Sequence, residues 1–365
     1  MRPVRRTLTG AALAILAMVA GSACGGGSSG KPDAGIVSAE RCAANRAAGT
    51  ITYVSPFGFD ASAGIIEVFA ADRLGYFRDL CLDVKLVTNS RNSAALVSSG
   101  TATTTSTGSA ADFLVLAANG SNVTAVATYG NASDYCIITR PEIKRLKDLE
   151  GHTLGYHFVK EAPDLEMLRA AGVDLDKVKL VNTPNFDPNQ IVQGRLDAVG
   201  CYQSNEPLTL RAEGAKFNEF TPQQFGVSGT YNVVFFNTTF LAAHRSAAQD
   251  FMRADLYAFE YCEAHQAKCI AIEQGYAQRA GAEFPVAHER QVWKLEAALS
   301  RNNVLPGKGI GVHSRAEWRP ELREVVDFGL AENIPPLERV QDTALVAELY
   351  RGSRLIWPEG STAAS

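Results

Sequence analysis

From residue 51 onward, short β-branched and aliphatic runs alternate with helical patterns across connections of only a few residues, and this alternation restricts the fold more than any other feature. The spacing predicts strands at 51–55, 82–87, 101–105 and 123–128, with helices between them at 63–74, 92–98 and 109–118. In the first helix Ile65, Ile66, Phe69 and Leu74 mark the apolar positions and Gly75 ends it. Strands joined through helices run parallel, with helices over both faces of the sheet. The alternation continues beyond Gly130, with strands at 135–139, 153–156, 179–181, 197–202 and 231–237, and helices at 162–170, 189–194 and 206–212. After residue 239 the chain reads as almost wholly helical, at 243–265, 270–281, 287–301, 320–332 and 342–349. Such helices must bury their apolar stripes against an earlier sheet. The expectation is an α/β protein of two lobes, each a mostly parallel sheet flanked by helices. Residues 48–130 and 233–352 make the first lobe, 131–232 the second and 353–365 a tail, with a two-strand hinge near Gly130 and Asn232.

The N-terminus sets the compartment. Arg2, Arg5 and Arg6 precede an apolar run at 11–20, which closes on Gly21-Ser22-Ala23-Cys24. Such a run is too short to cross roughly 30 Å of hydrocarbon as a helix, so residues 1–23 read as a cleaved secretion signal. Cys24 stands where a lipoprotein peptidase leaves an acylated terminus, although Gly21 replaces the usual aliphatic residue and plain cleavage after Ala23 is the alternative. The glycines and serines that follow suit a flexible lipid-anchored tether over 24–47. The body is therefore expected on the outer face of a cell membrane.

Loss of the three signal arginines and no acids takes the formal charge from -4 to -7, which argues against nucleic acid or an anionic lipid surface as partner. Six cysteines remain after Cys24, an even number compatible with disulfides in an oxidising compartment. Bridges are expected between Cys262 and Cys269 and between Cys42 and Cys81; Cys136 and Cys201 are left as either buried thiols or a further pair. His265 beside Cys262 and Cys269 supplies too few ligands for zinc, and neither metal nor cofactor is expected.

Several phrases resemble one family. Ala71-Asp72-Arg73-Leu74-Gly75-Tyr76-Phe77 with Leu82-Asp83-Val84, then Leu146-Lys147-Asp148-Leu149-Glu150-Gly151, then Gly194-Arg195-Leu196-Asp197-Ala198 with Ser204-Asn205-Glu206-Pro207 occur in the expected order. They are similar to the type II solute-binding proteins of ABC importers, in the branch that handles thiamine-pyrimidine precursors, alkanesulfonates, taurine and nitrate; Cys81 stands where that pattern has glycine. The resemblance implies a monomeric two-lobed binding protein that closes on a small molecule and docks on an ABC permease in the membrane.

Binding crevices of open α/β sheets lie beyond the carboxyl ends of the parallel strands, so the candidate ligand contacts come from those loops. In the first lobe they are Phe57, Phe59, Asn89, Thr107, Gly108, Ser109 and Tyr129, with Glu67 from the first helix. In the second they are Tyr156, His157, Tyr202, Asn205 and Glu206, with Tyr231 at the return crossing. The helix opening at Ser109 offers backbone N–H groups to an anionic oxygen, while Ser109 is equally suited to a plain N-cap. Aromatic rings with amide and carboxylate partners fit a neutral heteroaromatic, pyrimidine-like solute better than sulfonate, taurine or nitrate, for which arginine clamps are expected. No Gly-x-Ser-x-Gly, His-Glu-x-x-His or Walker pattern points to catalysis. A ligand-sensing or scaffold lipoprotein of the same fold is the competing reading.

Overall fold

The computed structural model describes residues 36–88, 92–157, 160–183 and 187–358. The expected signal segment, Cys24 and Asn89 lie outside the described residues. Ten strands build two sheets: β1 (Thr50–Ser55), β2 (Asp83–Thr88), β3 (Thr104–Thr107), β4 (Val123–Gly130), β5 (Tyr135–Thr139), β6 (Thr153–His157), β7 (Lys179–Thr183), β8 (Ala198–Tyr202), β9 (Asn218–Phe220) and β10 (Tyr231–Asn237). The first sheet has the order β2-β1-β3-β10-β4 and the second β7-β6-β8-β5-β9.

The two-lobed α/β expectation holds, with both sheets mixed. β1 runs parallel to β2 and β3, whereas β10 lies antiparallel between β3 and β4. In the second sheet β6 is parallel to β7 and β8, and β5 is antiparallel to β8 and β9. The reason is the pair of crossings: β5 follows the passage out of the first sheet and β10 the passage back. Tyr231 of β10 pairs with Gly130 of β4, so the two crossings lie side by side. The short β9 carries Asn-Glu-Phe, which has no β-branched signal to announce it.

Every residue of β4 and β10 is buried; β10 is central, and β4, at the end of the sheet, has its outer edge covered by Gly311, which accepts from Thr128 N, and by Asp342, whose N–H donates to Ala125 O. The C-terminal helices provide much of that cover. Arg245–Ala264 packs on Ile66–Leu74, and Arg315–Asp327 packs on Ala110–Ala118. Helix Val286–Asn302 touches β4 and also reaches helix Glu206–Ala212 of the second half.

Besides β9, the helix expected at 320–332 spans Arg315–Asp327, and two further stretches differ from expectation. Residues 39–47, expected within the tether, form a helix tied to the body: Arg41 Nε donates to Asp250 at 2.7 Å, and the buried Asn45 amide donates to Leu80 O at 2.8 Å and Asp250 at 2.7 Å. Residues 342–349 do not form one helix. Asp342 N donates to Ala125 O of β4, and its carboxylate takes the N–H groups of Ala344 and Leu345, so the segment is held as a turn before the short 3-10 helix Ala347–Leu349.

Three disulfides are present: Cys42–Cys81, Cys262–Cys269 and Cys136–Cys201. The third settles the question the sequence left open. Cys136 and Cys201 are directly opposite on β5 and β8, with Cα atoms 4.9 Å apart, and the strand pairing brings their sulfurs together. Their loop spans 65 residues against 7 for Cys262–Cys269. Chain entropy then predicts a loss of about 4 kcal/mol for Cys136→Ala/Cys201→Ala and about 2.5 kcal/mol for Cys262→Ala/Cys269→Ala. Denaturant unfolding of the two double variants measures this, and an equal or smaller loss at the cross-strand pair contradicts the assignment.

Candidate functional site

A cavity of about 180 Å³ opens where the two sheets present the ends of β1, β3 and β8. The loop after β1 contributes Phe57, Asp60 and Ser62, the turn after β3 Thr107 and Gly108, and the turn after β8 Tyr202, Ser204 and Asn205; Tyr231, Asn232 and Glu296 complete the wall. A neighbouring space of about 380 Å³ shares Phe57, Thr107, Gly108 and Tyr202 and adds Asp112, Tyr135, His157 and Glu161 among others. Phe57 and Tyr202 meet edge to face at 6.0 Å between these spaces, and Tyr135 packs on Tyr202 at 5.1 Å. A Cβ on Gly108 would lie 2.7 Å from the Tyr135 hydroxyl and 2.8 Å from that of Tyr202, so only glycine allows this approach.

Helix Val286–Asn302 organises the cleft. Glu289 and Glu296 are seven residues apart, two turns on one face, within a buried stripe that includes Val292, Trp293 and Ala297. Glu289 accepts from Ala61 N and Glu296 from Ala63 N, each at 2.8 Å, which fixes the loop leaving β1. Glu296 also accepts from Ser62 Oγ at 2.6 Å and from the Tyr231 hydroxyl, while its other oxygen is 2.6 Å from Ser204 Oγ of the second half. On the same helix, His288 Nε2 is 2.7 Å from Asn205 Oδ1. One helix of the first half thus holds the turn after β8.

Ser204 Oγ lies 2.7 Å from Asp134 as well as 2.6 Å from Glu296. A hydroxyl has one hydrogen, so satisfying both contacts requires a proton on one of the carboxyls. The electrostatics agree. Burial raises Asp134 and Glu296 above the ordinary carboxylate range, and their mutual repulsion raises Asp134 further. Burial likewise lifts Asp60, with Glu289 and Glu296 adding repulsion, and pushes Glu206 and Glu289 to about 7.

Of the residues singled out in sequence, Phe57, Thr107, Gly108, Tyr202, Asn205 and Tyr231 come together on the cavity wall, and His157 lines the neighbouring space. The His157 ring is already engaged on both sides, with Gly200 O at 3.0 Å and Thr183 Oγ1 at 3.1 Å. Others turn inward to structural partners. Phe59 packs on Phe69, Glu67 accepts from Gly64 N at 2.6 Å, and Tyr129 donates to Asp255 at 2.5 Å. Glu206 accepts from Tyr202 N at 2.8 Å, holding the turn rather than lining the space. Tyr156 is half-buried on β6, on neither wall. Ser109 is the N-cap of helix Ala110–Ala118, accepting from Asp112 N. The adjacent N–H groups of Ala110 and Ala111 go to Thr230 Oγ1 and to the Glu321 carboxylate, each at 2.8 Å. The helix end expected to suit an anionic ligand therefore already has a carboxylate of its own.

Asp60, Ser62, Ser204, Asn232 and Glu296 were not anticipated. Glu296 had a readable signal: a glutamate at an apolar-stripe position of an amphipathic helix is out of place unless it serves a partner.

The raised carboxyls fix the sign of the pH dependence. Glu206 and Glu289 have folded-state values near 7 against 4.5 for an ordinary glutamate, so the folded protein holds more protons than the unfolded chain between those limits. Their contribution to stability is complete below about pH 4.5 and is lost as pH rises through about 7. The thermal midpoint is expected to be several degrees higher at pH 5 than at pH 8, and Glu296→Gln, neutral throughout, to reduce the difference. Calorimetry across that range checks it; a midpoint that rises with pH contradicts it.

The comparisons with known proteins agree with this architecture. The NMT1/THI5-like family model matches residues 62–269, more than half of the chain, and the protein belongs to that family. No curated protein sequence matches the chain. Among solved structures, the ligand-binding component of an ABC-type import system from Staphylococcus aureus superposes with a TM-score of 0.62 at 15% identity, covering 82% of this chain and 98% of the other. The periplasmic aliphatic sulphonate binding protein SsuA from Escherichia coli gives 0.60 at 13% identity, covering 87% and 96%. The desulfurization enzyme DSZB gives 0.52 at 12% identity, covering 82% and 98%. At these identities the likeness establishes the two-lobed periplasmic-binding-protein fold, which both binding proteins and an enzyme use.

Proposed function

We propose that the protein is the substrate-binding lipoprotein of an ABC importer, held by Cys24 on the extracytoplasmic face of the membrane, which captures a small heteroaromatic solute between its lobes and passes it to a membrane permease. Family membership and the two-lobed fold support the class. The observation that carries the site is the cavity flanked by Phe57 and Tyr202, whose walls come from both sheets. Rings at the rim provide flat faces for a heterocycle, and the polar wall behind them supplies orientation.

The mechanism is closure about the paired crossings. Residues 131–232 act as the second lobe, and the adjacent passages at Gly130 and Tyr231 act as the hinge. Glu296 and His288 reach Ser204 and Asn205 across the cleft, so those contacts are made in the closed arrangement and released on opening. Solute contacts to both lobes shift the equilibrium toward closure by their differential affinity, and the closed surface is what a permease recognises.

A thermal-shift panel of pyrimidines, purines, flavins, thiamine precursors, sulfonates and nitrate identifies the solute class, because a tight binder raises the midpoint by mass action. Tyr202→Ala is expected to lower affinity about tenfold through loss of the ring contact while the ligand-free midpoint changes little. Unchanged affinity in calorimetric titration rejects the site. Loss of uptake on deletion supports import; intact uptake with loss of a signalling response favours a sensor.

A further inference from the structure

The cleft walls also bear on the charge of the solute. Asp60 and Glu296 both line the smaller space, and among the described residues no lysine or arginine lines it. Three hydroxyl groups of that wall are committed to acids: Ser62 and Tyr231 to Glu296, and Ser204 to Glu296 or Asp134. What the wall adds beyond them is rich in carboxyl and carbonyl oxygens.

A separate observation comes from a neutral side chain. Asn232 lines the same space and is 4% exposed. Its amide nitrogen donates to Ala63 O at 2.5 Å, which fixes the other atom as a carbonyl oxygen, and among the described residues that oxygen has no hydrogen-bond partner. One Asp60 oxygen is likewise buried without a partner. A buried acceptor left empty is unfavourable, so a ligand that brings N–H groups to these atoms gains both hydrogen bonds and relief of that penalty. Phe57 and Tyr202 add ring faces, the surroundings in which a cation is held well.

We propose that the solute is an organic cation, a protonated amine or amidine on a compact frame, whose N–H groups are taken by Asp60 and the Asn232 side-chain carbonyl, with the Glu296 carboxyl beside them supplying charge. This deepens the solute-binding reading of the cleft and rests on it. The groups around these carboxyls are acidic as well: Glu289 and Glu273 near Asp60, and Asp134 and Glu206 near Glu296; His288 joins from the same helix through Asn205. In the empty cleft their repulsion is relieved by bound protons. A cation takes over that role: as it enters, a carboxyl O–H bond breaks, the proton leaves to solvent, and the carboxylate pairs with the ligand.

Calorimetric titration of the purified protein with matched probes tests this: benzamidine and benzylamine as cations, benzamide and benzyl alcohol as uncharged counterparts, and benzenesulfonate as the anion. Benzamidine is expected to bind at least about tenfold more tightly than benzamide, since charge-assisted hydrogen bonds are roughly twice as strong as neutral ones. Binding heats should differ between phosphate and Tris buffers because protons are released. Asp60→Asn and Glu296→Gln should each weaken benzamidine about tenfold or more while retaining or raising the ligand-free thermal midpoint. Equal or tighter binding of benzamide or benzenesulfonate overturns the cation proposal, as does the absence of binding by both cations. Tyr202→Ala separates the two levels of the argument. If it weakens a neutral or anionic probe, the cleft is the site and only the charge class fails; if no probe responds to it, the site itself is wrong.

Discussion

The carboxyl of Glu296 is the contact on which the arrangement of the cleft depends. It holds the loop after β1 through Ala63 N and Ser62, fixes Tyr231 at the return crossing, and meets Ser204 from the other half. Four partners around one buried carboxyl explain why it is tolerated in the interior: a buried acid is stable where its oxygens are filled, and becomes expensive when a partner is removed. Glu289, two turns earlier, repeats the device at Ala61. The loop carrying Phe57 and Asp60 is thereby shaped by a helix more than 200 positions away in the chain.

The same cluster gathers carboxyls whose burial and mutual repulsion favour bound protons. The acids that join the turn after β8 to helix Val286–Asn302 do so as hydrogen-bonded groups, and burial with crowding of like charges drives several of them toward the neutral form. In the proposed mechanism, closure, protonation and the charge of a bound solute become one linked problem: whatever neutralises these oxygens favours the arrangement in which they are brought together.

Much of the fold was legible because its signals are local. β5, helix Ala162–Ala170 and β10 fall at their expected limits, since apolar runs and helical spacing are written in consecutive residues. The candidate site was legible in part: loops after parallel strands can be named from strand order alone, and Phe57, Thr107, Gly108, Tyr202 and Asn205, named that way, line the cavity. Tyr129 and Glu206, named at strand ends, and Glu67, named from the first helix, serve internal partners instead, because which way a polar side chain turns depends on what packs against it. Helix 39–47 was hidden by the glycine-rich stretch before it and by polar residues whose partners, Asp250 and Leu80, are distant in sequence.

By itself the sequence determined the alternating α/β elements, the even set of cysteines and the loops able to carry a site, since each is set by composition and spacing over a few residues. Only the tertiary structure decided that Cys136 faces Cys201, that β10 inserts antiparallel between β3 and β4, and that Asp60, Asn232 and Glu296 converge on one cavity. Those outcomes depend on strand register and on helices returning from the far end of the chain, and no local pattern encodes the distance between two residues that meet only when the sheets are assembled.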